Sequence, residues 1–180
     1  MHLYLSMFSF AVILFFAATG LTLNHTEWFP DRELITHLAG TIAPALLQPE
    51  PDKLGIAEFL RKTHKLQGAV SDFRVENSEI SISFRGPGYA ADSFIELPSG
   101  RYELTETRNG LVAVINDLHK GRDTGKRWSM VIDASAILLV LVSLTGLLLI
   151  LFLHKRRASG LMLAGAGGIL CWLLYRVFVP

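Results

Sequence analysis

Three long apolar runs dominate this chain, and the polar stretch between the first two is large enough to fold as a domain. No Asp, Glu, Lys or Arg occurs before Glu27. A second uncharged stretch extends from Ala134 to Leu153, just beyond Asp133, and a third begins at Ala158 and reaches Arg176. A helix advances about 1.5 Å per residue, so roughly 20 apolar residues cross a bilayer core. All three runs meet that length. The pattern predicts an α-helical membrane protein with three transmembrane helices, over 1–25, 128–153 and 161–179, an inserted domain over 26–127 and a short loop over 154–160.

Within the insert the period of the pattern changes twice. After a Pro-rich approach (Pro44, Pro49, Pro51), Asp52 can cap a helix running to about Lys65, with Leu54, Ile56, Phe59 and Leu60 as its apolar side. From Val70 onward, β-favouring residues alternate: Phe73 and Val75, then Ile80, Ile82 and Phe84, then Phe94, Ile95 and Leu97, then Tyr102 and Leu104. Turn signals separate these groups at Asn77-Ser78, Gly86-Pro87-Gly88 and Pro98-Ser99-Gly100. A helix followed by about four antiparallel strands is expected. A short helix from Gly110 to about His119, carrying Leu111, Val112, Val114, Ile115 and Leu118, then leads through Gly121 and Gly125 to the second span.

Charge adds orientation to this outline. Lys155, Arg156 and Arg157 in the loop between the second and third runs favour the cytoplasmic side, which places the insert outside the cytoplasm. Lys126 and Arg127 flank the second run on the outer side, two cations against three. A cleaved signal peptide is the other reading of the first run, but its apolar part is long for that purpose and no basic segment precedes it. With 51% hydrophobic and 18% charged residues and a mean hydropathy of +0.38, the composition is that of a membrane protein. A net charge of +1 without a basic stripe gives no reason to expect a nucleic-acid partner. Cys171 is the one cysteine, so no intrachain disulfide forms.

Small residues distinguish the spans. Gly160, Ala164 and Gly168 recur every fourth position in the third helix, a ridge that lets another helix approach closely, inside a bundle or from a second copy. Thr-Gly-Leu occurs in both earlier helices, as Thr19-Gly20-Leu21 and Thr145-Gly146-Leu147. Glycine there removes bulk and threonine can bond back to its own helix, giving either close helix contact or room for a flat cofactor ring. Asp133 and Arg176 lie toward the same face of the bilayer and are expected to pair, with snorkelling to the headgroups as the alternative.

These residues carry a family resemblance. The opening His-Leu-Tyr-Leu-Ser, the string Thr-Gly-Leu-Thr-Leu-Asn-His-Thr-Glu-Trp, the helix-then-sheet insert, and Asn116-Asp117-Leu118-His119-Lys120-Gly121-Arg122 before a second Thr-Gly-Leu helix resemble the PepSY-associated transmembrane family over essentially the whole chain. The resemblance implies a bacterial inner-membrane protein with a periplasmic PepSY-like α+β domain. Larger relatives include haem-containing reductases that release iron from siderophores, and soluble PepSY domains are associated with peptidase propeptides and their inhibition. It also matches His2 to the family's first-helix histidine, His25 to its Asn-His position and His119 to its Leu-His-Lys-Gly position.

Haem b in a membrane bundle takes axial imidazoles, because neutral His nitrogen is a good iron ligand and needs no covalent attachment. Four histidines sit at helix ends, His2 and His154 toward the inner side and His25 and His119 toward the outer side, which makes them the candidate cofactor ligands. Against this, no span holds a pair of histidines, and His2 and His25 lie roughly 34 Å apart on a straight helix. His37 and His64 read as solvated. The reductase relatives have more than three crossings, so the resemblance implies that a complete electron path needs a homodimer or a larger membrane redox partner beside the lipid bilayer. No phosphate-binding loop, Cys-x-x-Cys pair, His-Glu-x-x-His helix or Gly-x-Ser-x-Gly elbow occurs. The preferred role is an accessory in iron- or haem-linked redox chemistry rather than a self-contained enzyme. The alternatives are a membrane-anchored periplasmic module that binds a protein or peptide, and a structural subunit without cofactor.

Overall fold

The computed structural model describes residues 2–30 and 32–180; Met1 and Asp31 lie outside the described residues. Five α-helices and five strands follow in the order α1 (His2–Asn24), β1 (Leu34–Thr41), α2 (Lys53–His64), β2 (Ala69–Val75), β3 (Glu79–Gly86), β4 (Tyr89–Glu96), β5 (Arg101–Arg108), α3 (Leu111–Lys120), α4 (Gly125–Phe152) and α5 (Arg157–Phe178). Helices α1, α4 and α5 are long and apolar enough to cross a membrane. The chain divides into a sheet unit, Phe15–Ile132, and a helical unit, Met1–Leu14 with Asp133–Pro180.

In the sheet unit the strands lie in the order β1-β5-β4-β3-β2, all neighbours antiparallel. Strands β2 to β5 form a meander whose turns fall at the three predicted places. The sheet has five strands rather than about four, because β1 precedes α2 and pairs with β5 from Leu34↔Arg108 to Thr41↔Arg101. Its sequence, Leu-Ile-Thr-His-Leu-Ala-Gly-Thr, lacks a clean alternation, and as an edge strand it buries no side chain fully.

Alternation decides which face of the sheet is buried. Ile80, Ile82 and Phe84 on β3, Ala91 and Ile95 on β4, and Leu104 on β5 point to one side and are at most 1% exposed. Helix α2 covers them with Ile56, Ala57 and Leu60. Leu54, expected on that face, is exposed, because it stands two residues from Ile56 and about 200° around the helix. The predicted cap holds: the Asp52 carboxylate accepts the Gly55 N–H at 3.0 Å. His64 is not simply solvated; its Nε2 lies 2.7 Å from the buried Tyr102 hydroxyl. His37 is exposed on β1, its Nδ1 3.2 Å from the Thr105 hydroxyl.

In the helical unit the α4–α5 turn spans Leu153 to Arg156, so α5 begins inside the stretch expected as loop. The Ile150 side chain fills the open side of Gly160. Beyond that point α5 is exposed throughout, with Ala164 and Gly168 facing open space rather than another helix of this chain. A helix apolar on all sides and unpacked against protein has the character of a lipid-facing span. Among the described residues no ion pair joins Asp133 to Arg176. Both belong to helix ends remote from the α4–α5 turn, where α5 stands exposed.

Candidate functional site

In the sheet unit the site is built on α3, where nearly every residue of the string Asn116 to Arg122 has a partner. Gly110 caps α3 at its start, and Gly121 ends it in a left-handed conformation at φ 68°, which a glycine adopts without a Cβ penalty. Asn116 and Asp117, rather than the predicted apolar residues, are the buried positions of this helix. Asp117 accepts the Gly88 N–H at 2.9 Å and the Arg122 Nε–H at 2.8 Å, which ties α3 to the β3–β4 turn. The Leu118 carbonyl accepts the Trp128 indole N–H at 2.8 Å.

Two contacts then join α3 to the end of α1. The Thr22 hydroxyl donates to the Asn116 side-chain oxygen at 2.7 Å, and Thr19 Oγ1 lies 2.5 Å from His119 Nδ1. Spacing of three on both helices brings the two pairs into register: 19 and 22 on one, 119 and 116 on the other. The same Thr19 hydroxyl donates to the Phe15 carbonyl at 2.7 Å. Phe16 meets the His119 ring edge-on with centroids 5.0 Å apart. A Cβ on Gly20 would stand 3.8 Å from His119 Cε1, so the imidazole lies over the glycine with space for a methyl group and little more.

The helical unit repeats the arrangement with different elements. His2 Nδ1 lies 2.9 Å from Thr145 Oγ1, and the Thr145 hydroxyl donates to the Leu141 carbonyl at 2.7 Å. A Cβ on Gly146 would stand 3.4 Å from His2 Cε1. Next to this contact is an open apolar hollow of about 510 Å³ lined by His2, Tyr4, Leu5, Phe8 and Thr145. Each Thr-Gly-Leu string therefore receives one histidine, the threonine at Nδ1 and the glycine at the ring edge. In each clamp Nε2 has no protein partner among the described residues.

The other two candidates are placed differently. His25 stacks on Trp28, ring centroids 3.8 Å apart and 8° from parallel, with Nδ1 3.1 Å from Glu27 Oε1 and Nε2 3.4 Å from Asn24 Nδ2. Both of its nitrogens thus have polar neighbours. His154 is exposed in the α4–α5 turn. His2 packs nine residues before His154 along α4, about 14 Å of helix rise away, so these two are not brought together. Sequence reasoning found both histidines of the clamps and both Thr-Gly-Leu strings but did not connect them. The available signal was the repetition itself: two identical strings and two histidines at helix ends.

No group of three or more His, Cys, Asp or Glu that could hold a bare metal ion occurs among the described residues. A ligand that brings its own donors, such as a porphyrin, needs only one or two imidazoles from the protein. No curated protein and no solved structure matches this chain. A family model does, over residues 1–180, and with three apolar helices that precede and follow an antiparallel sheet in the sequence the chain belongs to the PepSY_TM-like family.

Proposed function

We propose that this protein is an accessory in haem-linked redox chemistry in a bacterial inner membrane, with its sheet unit on the periplasmic side. One observation carries the reading: His2 and His119 are each held at Nδ1 by a threonine, while Nε2 has no hydrogen-bond partner among the described residues. An imidazole oriented in this way is the donor that haem iron takes from helical membrane proteins.

The donor set fits such a group. A hollow of about 510 Å³ beside His2 lies within the usual range for cofactor pockets, and its lining of Tyr4, Leu5 and Phe8 suits a flat apolar ring. Phe16, edge-on to His119, offers an aromatic neighbour at the second clamp. Haem, when bound, would supply one-electron chemistry; the chain's part is to orient the imidazoles and keep their surroundings apolar. Each clamp provides one imidazole, so any second imidazole for the same haem would come from a homodimer or a larger membrane redox partner. The inner-membrane orientation rests on Lys155, Arg156 and Arg157 in the α4–α5 connection.

Titration of haemin into the purified full-length protein in mild detergent tests the reading. A saturable shift of the Soret band to that of histidine-ligated haem is expected. A spectrum that remains that of haemin in detergent micelles would overturn it.

A further inference from the structure

The threonines of the two clamps have a chemical consequence beyond helix packing. We propose that Thr19 and Thr145 are tautomer locks: each holds the proton of its histidine on Nδ1 and so leaves the Nε2 lone pair of His119 and His2 as the atom that binds a transition-metal centre. The identity of that centre as porphyrin iron rests on the function proposed above; the lock does not.

A hydroxyl has one proton to give. Thr19 Oγ1 stands 2.7 Å from the Phe15 carbonyl oxygen, and Thr145 Oγ1 stands 2.7 Å from the Leu141 carbonyl oxygen. Two oxygens at that separation attract only with a proton between them; without it, their lone pairs repel. The threonine proton is therefore committed to its own helix, as hydroxyl back-bonding commonly arranges. What remains toward the imidazole, at 2.5 Å for His119 and 2.9 Å for His2, is an acceptor lone pair. Only a protonated Nδ1 satisfies it. A neutral imidazole carries one N–H, so Nε2 is then bare and is the ligating nitrogen.

Glycine completes the device by leaving the Cε1 edge of each ring next to the helix backbone. An added Cβ would lie at 3.8 Å in one clamp and 3.4 Å in the other, so a side chain larger than alanine would push the ring away from its threonine. Recurrence of the same Thr, Gly and His relation on different elements, α1 with α3 and α4 with α1, sets this apart from a single fortuitous contact.

The test is nitrogen-15 NMR of histidine-labelled full-length protein, prepared without haem in detergent, with resonances assigned by single His→Gln variants. His2 and His119 are expected to show a protonated Nδ1 and an unprotonated Nε2 as the dominant form. Thr19→Val should convert His119 alone to a mixture of tautomers, and Thr145→Val should do the same for His2 alone. Thr→Ser at either position, which keeps the hydroxyl, should preserve the lock. A dominant Nε2–H form in the unmodified protein, unchanged populations in the Val variants, or a lock at one histidine but not the other would overturn the proposal. Because the samples hold no haem, a failed lock and a failed haem titration are separate results.

Discussion

Asp117 accepts the backbone N–H of Gly88 at 2.9 Å, and this one bond joins the helix that carries His119 to the turn between β3 and β4. Gly88 is left-handed at φ 64°, and Val114 of α3 packs against its open side, so the turn and the helix define one another. Asp117 is 5% exposed, and its second oxygen takes Arg122. Replacing Asp117 by Ala strands a buried N–H and removes a charged hydrogen bond, which costs about 2 kcal/mol. Arg122→Ala, at a side chain that is 62% exposed, should cost about 1 kcal/mol or less. Thermal unfolding of the full chain in detergent, with hydrogen exchange over α3 as the local readout, should rank the two variants in that order.

Helix α2 offers a contrast between two leucines six residues apart. Leu60 is fully buried in the core that α2 shares with the sheet, whereas Leu54 is 74% exposed. Leu60→Ala should destabilise the sheet unit by about 3 kcal/mol through lost burial and the cavity left behind. Leu54→Ala should shift the unfolding midpoint little, since surface substitutions of this kind stay within about 0.5 kcal/mol. A large effect at Leu54 would mean that this surface is covered in the intact protein.

Burial, reinforced by the Glu106 carboxylate beside it, pushes the Tyr89 hydroxyl up to about 12, and among the described residues that hydroxyl has no well-formed hydrogen bond, the Gln67 backbone and Glu106 being its polar neighbours. In the unfolded chain the same group ionises near its ordinary value of about 10. Its contribution to stability is therefore complete below pH 10 and is lost as pH rises toward 12, because the unfolded state gives up the proton first. Tyr89→Phe should cost little at neutral pH, since it removes an unsatisfied polar atom. It should also flatten the fall in unfolding temperature between pH 10 and 12 relative to the unmodified protein; identical slopes would refute this.

Where the pattern had one strong period, the sequence could be read directly. Alternation over Ile80, Ile82 and Phe84 determined which face of β3 is buried, and the three apolar runs became α1, α4 and α5. Asp52 was legible as a cap because its role is local. Strand β1 was not, since on this edge strand Thr36, Leu38 and Gly40 are only half-buried and the apolar Ile35 lies on the exposed face, so its apolar and polar residues show no clean alternation. The buried face of α3 was missed for another reason: Asn116 and Asp117 are buried by satisfying partners far along the chain, Thr22 and Gly88, which hydropathy does not register. The histidine clamps were half legible. His2, His119 and both Thr-Gly-Leu strings stood out singly, but a pairing across 143 or 100 positions is decided by helix packing and not by local sequence.

Haem content across a set of single histidine variants tests the central claim most directly. Full-length protein would be produced with ample haem and purified in mild detergent, then its haem-to-protein ratio measured in the unmodified form and in His2→Gln, His25→Gln, His119→Gln and His154→Gln. The account predicts bound haem in the unmodified protein, a large loss in the His2 and His119 variants, and near-unmodified ratios in the His25 and His154 variants. Absence of haem from the unmodified protein, or a loss confined to the His25 and His154 variants, would contradict it.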